Sequence, residues 1–229
     1  MNNNPSLFEQ YTNFDRVNWE KILSATYETL FMTCFATLAV FFLGITVGYL
    51  LYRTTQRSHK KTIVAQFLSG IVNLFRAIPF LNLIVLLIPV TKLLLNTITG
   101  PAAALPALIL SATPFFARMV ETGLRDIDRG VLEVADAMGM TAWQKFSKVY
   151  FPESLPTIVS GITSTAIALV GYTAMAGVIG AGGLGNLAYL EGFQRNNATV
   201  TLVATFIILV IVFLIQWTGD ILVRKIDKR

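Results

Sequence analysis

The sequence predicts an all-α integral membrane protein with five transmembrane helices and one helical hairpin in the cytoplasm. Three observations predict it. Of 229 residues 54% are hydrophobic and only 14% charged, with a mean hydropathy of +0.63, where a soluble domain carries about 25% charge. Uncharged runs recur that match the roughly 20 residues needed to cross a hydrocarbon core of about 30 Å. The basic residues gather on one side of those runs.

The first span is expected near residues 28–52. Residues 30–51 are uncharged, and Tyr49 and Tyr52 close the run with rings suited to an interface. The second, near 64–91, is interrupted only by Arg76. A loop is expected over 96–101, because the next uncharged run contains Gly100 and Pro101, and Pro101 suits a helix start where its missing N–H costs nothing. The third span then covers about 100–120. Residues 154–190 form an uncharged run too long for one span, and the glycines between Gly177 and Gly185 supply a break, placing the fourth span near 155–176. The fifth lies near 197–219.

The domain expectation is an extracytoplasmic segment over 1–25, a transmembrane domain over 26–223 with a cytoplasmic region at 121–153, and a basic tail at 224–229. A secretory signal is not expected, because the start lacks a basic cluster and the first apolar run is too long for a signal core.

With five spans the termini lie on opposite sides. Thirteen of the eighteen Lys and Arg fall on the side of the C-terminus: four after span one (Arg53, Arg57, Lys60, Lys61), five from the end of span three to span four (Arg118, Arg125, Arg129, Lys145, Lys148), and four in the tail. Cytoplasmic loops carry this excess, so the N-terminus is expected outside and the C-terminus inside. The net charge of +5 then reads as orientation, not as a nucleic-acid surface. One Cys and one His (Cys34, His59) exclude disulfide scaffolds, Cys/His zinc sites and Cys-His nucleophiles; no catalytic residue and no metal ligand is assigned on this chain.

The stretch between spans three and four carries the most informative pattern. Val131, Val134, Ala135 and Met138 follow one helix face, Gly139 suits the left-handed position that ends a helix, and Thr141 with Gln144 has the spacing of a capping box. Two short amphipathic helices are expected, the second running toward Tyr150, stopped by Pro152, with Pro156 starting the next span. On periodicity alone such a hairpin lies on the headgroups as readily as it engages a partner.

Glu133-Val134-Ala135, then Gly139, then Phe151-Pro152 closely resembles the Glu-Ala-Ala motif of the permease subunits of bacterial ABC importers, Val134 replacing the first Ala. From span one to the C-terminus, Asn73-Leu74-Phe75-Arg76-Ala77-Ile78-Pro79-Phe80, Val170-Gly171-Tyr172-Thr173-Ala174-Met175 and Gly180-Ala181-Gly182-Gly183-Leu184-Gly185 resemble the methionine importer permease branch. The resemblance implies a type I importer permease fold in the bacterial inner membrane and a homodimer working with two ATPase chains and an external binding lipoprotein. It also implies a coupling helix, with Glu133, Val134, Ala135, Ala137, Gly139 and Pro152 engaging the ATPase. No P-loop, Gly-x-x-x-x-Gly-Lys-Ser/Thr, occurs in the chain. ATP and Mg are therefore expected on the partner, with no cofactor on this chain.

Tyr172 and Met175 are three apart on span four and share a face, fitting either the pathway and its gate or plain helix packing. Arg76 is the one formal charge near a span interior; it either faces the pathway or snorkels to the interface. Gly180-Ala181-Gly182-Gly183-Leu184-Gly185 matches a dinucleotide fingerprint but follows no strand and lacks the later acidic residue; an external loop or re-entrant turn is expected. Gly44 and Gly48 form G-x-x-x-G, either a close helix contact or a chance match. An importer permease for another small amino acid or short peptide is the alternative reading; a secondary carrier or intramembrane enzyme would need ionisable residues inside the spans, and Glu28 and Asp220 lie only at span edges.

Overall fold

The computed structural model describes residues 11–56 and 63–227. His59 and several of the basic residues used for orientation (Arg57, Lys60, Lys61, Lys228, Arg229) lie outside them. The described residues form helices and turns and no strand. Four helices are long and apolar enough to cross a membrane: α1 (Trp19–Gln56), α5 (Pro101–Arg125), α8 (Phe151–Ala176) with its preceding turns, and α10 (Ala198–Ile226). A fifth span results if the bent pair α2 (Ile63–Ala77) and α3 (Phe80–Leu86) is counted as one. Their outer faces carry large side chains that water could not tolerate together, such as Leu23 at 71% and Phe213 at 69% exposure, a surface suited to lipid.

The helices outrun the uncharged runs at both ends. Asn18 starts α1 nine residues before the expected boundary, its side-chain oxygen accepting from the Lys21 N–H at 3.1 Å. Within the spans, several hydroxyls are spent on the helix itself: Thr46 donates to the Phe42 carbonyl and Thr165 to that of Gly161, as an apolar surrounding favours.

The expected single span over 64–91 is corrected to three helices. α2 and α3 meet at 103° and α4 (Ile88–Leu95) follows. The cause is Pro79, which cannot donate within α2 and holds the chain extended at φ −58°, ψ 137°. α4 ends on Asn96 in the left-handed region at φ 58°, and α5 starts on Pro101, as the sequence predicts.

A second correction concerns the approach to span four. α7 (Ala142–Lys145) does not stop at Pro152. It passes through a π-helical turn (Phe146–Tyr150) directly into α8, with Pro156 inside that helix. The Phe151 N–H bonds to the Phe146 carbonyl, five residues back. The widened turn opens the space in which the Pro152 ring would otherwise strike a preceding carbonyl.

The chain forms two compact units, one of Met1–Thr37, Pro79–Ile109 and Ala166–Ile215, the other of Leu38–Ile78, Leu110–Thr165 and Gln216–Arg229. In the first, Ala25, Val170, Leu184, Ala204 and Ile211 form the buried core, and Val17, Ile22, Val200 and Val203 form a second cluster. In the other, Leu51, Val72 and Ala117 are buried together. There the G-x-x-x-G of α1 is a close contact: a Cβ on Gly48 would lie 2.6 Å from the Ala117 carbonyl oxygen, and one on Gly44 would collide with the Phe116 ring.

The Gly180-to-Gly185 run is an ordered break. Gly180, Gly182 and Gly183 all have positive φ, which ends the helical path and lets α9 (Gly183–Leu187) start in a new direction. Two residues of α1 hold it: the Gly183 N–H donates to the Glu28 carboxylate at 2.6 Å and the Leu184 N–H to the Thr29 hydroxyl at 2.9 Å. No nucleotide fingerprint survives this geometry, which lacks the required strand.

Candidate coupling site

The expected first helix of the hairpin is α6 (Arg129–Ala137). Asp128 caps it, its carboxylate accepting from the Gly130 N–H at 2.6 Å. Gly139 ends it at φ +67°, with the Gly139 N–H on the Asp136 carbonyl at 3.0 Å and the Met140 N–H on the Ala135 carbonyl at 3.2 Å. The Thr141–Gln144 capping box forms in full, each residue's side chain accepting from the other's backbone N–H. Lys145 of α7 pairs with Asp136 of α6, so an ion pair closes the hairpin across the glycine turn.

The periodic residues of α6 divide in a way the spacing alone does not predict. Ala135 is buried at 2% against its own chain, whereas Val131, Val134 and Met138 are exposed. With Met140 and the buried Val149 they border a groove of about 430 Å³. An apolar, methionine-bearing surface of this kind adapts to a partner. Glu133 and Ala137 are exposed beside it, and Glu133 makes no ion pair among the described residues. Pro152 is exposed in the first turn of α8, away from this groove's lining.

α5 carries a charge cluster that its spacing announces and the apolar runs do not. Glu121 is buried and takes 2.6 Å bonds from both Arg118 and Arg125. Arg118 also reaches α2, donating to Asn73 at 3.1 Å and to the Ser69 carbonyl at 3.5 Å. The signal was present as Arg-x-x-Glu-x-x-x-Arg, the i,i+3 and i,i+4 spacing of helical ion pairs. Arg118 falls at the end of the expected third span and Glu121 and Arg125 just beyond it, so a boundary drawn on apolar runs divides the cluster.

Tyr172 is half-buried and stacks on Phe80, their planes 8° apart and centroids 4.8 Å apart, while Met175 is 46% exposed. Arg76 lies in the last turn of α2, exposed and without an ion-pair partner among the described residues.

The family described as binding-protein-dependent transport system inner membrane component matches residues 41–228. This chain belongs to that family. It is a multi-pass membrane component of a transport system. The methionine import system permease protein MetP of Bacillus subtilis (strain 168) is 52% identical over 224 residues, covering 97% of this chain and all of the relative. A probable D-methionine transport system permease protein MetI of Pasteurella multocida is 43% identical over 92% of this chain and 98% of its own length. Among solved structures, an inward-facing conformation of the MetNI methionine ABC transporter contains a chain that superposes with a TM-score of 0.87 at 41% identity, covering 91% of this chain and 97% of that one. A bacterial ABC transporter involved in importing alginate matches with a TM-score of 0.76 at 16% identity over 99% and 86%, a likeness of fold alone.

Proposed function

We propose that this chain is the permease subunit of an ATP-driven methionine importer, acting as a homodimer with two ATPase chains and an external substrate-binding lipoprotein. The substrate rests on one observation, the 52% identity to a methionine import permease over 97% of the chain. The Lys/Arg asymmetry supports an N-terminus outside and a C-terminus inside. With no P-loop on this chain, ATP and Mg bind the partner and hydrolysis occurs there.

Coupling runs through α6 and its glycine turn. The exposed Val131, Val134 and Met138 face fits a cleft on the ATPase, Glu133 and Ala137 lie at its margin, and Gly139 sets the direction of the chain into α7. ATP binding closes the ATPase pair, carries both hairpins with it and shifts the permease from inward- to outward-facing. Because α7 continues unbroken into α8, displacement of the hairpin acts directly on a span. The ligand shifts this equilibrium only by its different affinity for the two states. We assign Met175 to the pathway and the stacked Tyr172 to its gate; Arg76, exposed at the end of α2, faces the pathway's water.

The test is complementation of a bacterial methionine auxotroph that lacks its own high-affinity importer. The chain with its ATPase and binding protein should restore growth on low L-methionine, and omission of any one should abolish it. Growth rescued equally by the permease alone would contradict the reading.

A further inference from the structure

We infer that the groove between the last turns of α1 and the α7–α8 junction binds one anionic phospholipid, an inference that rests on the cytoplasmic placement of the α1 C-terminus proposed above. Arg53 holds the headgroup phosphate, and the aromatic walls hold an acyl chain.

The groove has a volume of about 540 Å³, within the roughly 300–1,000 Å³ of small-molecule sites. One wall is a single stripe of α1, Phe42, Thr46, Tyr49 and Arg53, at the 4, 3, 4 spacing of one helix face. From Phe42 to Arg53 that stripe runs about 16 Å at ~1.5 Å per residue, half of a hydrocarbon core of about 30 Å. A site of that length fits one leaflet. The other wall is led by Trp143 and Phe146, with Tyr49 edge-on to Phe146 at 4.7 Å and Trp143 stacked on it at 5.8 Å.

Charge selects the occupant. The Thr46 hydroxyl is spent on the Phe42 carbonyl, so the groove is apolar along its length and cationic at one end. Arg53 has no ion-pair partner among the described residues, while nearby Lys145 is already held by Asp136. No carboxylate lines the groove, so a zwitterionic headgroup finds a partner for its phosphate and none for its cation. The sequence continues with Arg57, Lys60 and Lys61, and basic clusters just cytoplasmic of a span attract anionic lipid. A bound lipid braces the junction between the hairpin and α8, so occupancy bears on coupling.

The chain has three tryptophans, which makes the site readable in the reconstituted permease–ATPase complex. Trp19→Phe with Trp217→Phe leaves Trp143, 72% exposed at the groove; Trp19→Phe with Trp143→Phe leaves Trp217, 63% exposed on α10, as a control for general lipid contact. Brominated phosphatidylglycerol should quench Trp143 more strongly than brominated phosphatidylcholine and quench Trp217 equally. Arg53→Gln should weaken the preference at Trp143 about fivefold, and Arg53→Lys should restore most of it. Equal quenching of Trp143 by the two lipids, an excess that survives Arg53→Gln, or no quenching by either lipid because protein covers the groove would each overturn the inference. Native mass spectrometry of the complex with all tryptophans retained gives a second reading: phosphatidylglycerol retained in preference and lost with Arg53→Gln supports the site, and equal retention of both lipids overturns it. Growth rescue is independent of these readouts. If rescue succeeds and lipid preference fails, only the lipid site falls; if rescue fails and the preference holds, only the transport reading does.

Discussion

Gly139 offers the sharpest perturbation, because backbone conformation and side-chain contact separate there. Its φ of +67° lies in the left-handed region, yet a Cβ added at that position would meet nothing within 4 Å. The cost of Gly139→Ala is therefore conformational, about 1–2 kcal/mol, and a β-branched Val should cost more. That energy corresponds to roughly a 5–30-fold loss of the hairpin geometry, and docking affinity falls by the competent fraction. Asn tolerates the same region: Asn96 and Asn196 of this chain sit there at φ 58° and 53°. Substrate-stimulated ATP hydrolysis and uptake by the reconstituted complex should therefore rank Gly, Asn, Ala, Val in falling order, with the amount of assembled complex measured in parallel. Unchanged activity in Gly139→Val, or Asn as damaging as Val, would refute the argument from backbone geometry.

Other perturbations test the scaffold behind the hairpin. Glu121→Gln removes the charge that two partly exposed arginines share at 2.6 Å and should destabilise the solubilised permease by about 1–3 kcal/mol, the loss of charge-assisted hydrogen bonds to a buried acceptor; a thermal melt unchanged from the parent would contradict this. Gly48→Ala forces a Cβ to 2.6 Å from the Ala117 carbonyl oxygen, where backbone cannot give way, whereas Gly70→Ala meets nothing within 4 Å; assembled yield by size-exclusion chromatography should fall for the first and hold for the second. In the segment between α9 and α10, hydrogen bonds from Lys21 and then Arg195 hold the Glu191 carboxyl below its usual value. A lowered folded-state pKa means that these ties contribute fully above the unfolded value of about 4.3 and fade only as pH falls through the folded one. Carboxyl-carbon NMR should show Glu191 titrating below that value and moving up in Lys21→Met; a titration unaltered by Lys21→Met would contradict the assigned cause.

Much of this fold was legible because a membrane imposes length and apolarity on whole segments. The start at Pro101, the stop at Asn96, the capping box at Thr141 and the turn at Gly139 follow from local chemistry and were readable. Hydropathy reports which solvent a segment prefers and is silent on whether its helix continues, which is why α2 to α4 read as one span and why α8 was cut at Pro152. A proline's effect depends on whether a neighbouring turn can widen, and Phe146–Tyr150 does so. Contacts distant in sequence were not legible: Glu28 and Gly183 are 155 residues apart, and nothing near either announces the bond. On α6 periodicity identified the apolar face but not that Ala135 packs inward while Val134 and Met138 remain outside.

The central claim is that this chain carries methionine across the membrane using ATP bound by a partner. Proteoliposomes containing the permease, its ATPase and the binding protein on the external side measure it directly. Labelled L-methionine should accumulate against its gradient only when ATP reaches the ATPase, and accumulation should stop when the binding protein is withheld. Accumulation that proceeds without ATP, or that a proton gradient alone sustains, would contradict the account.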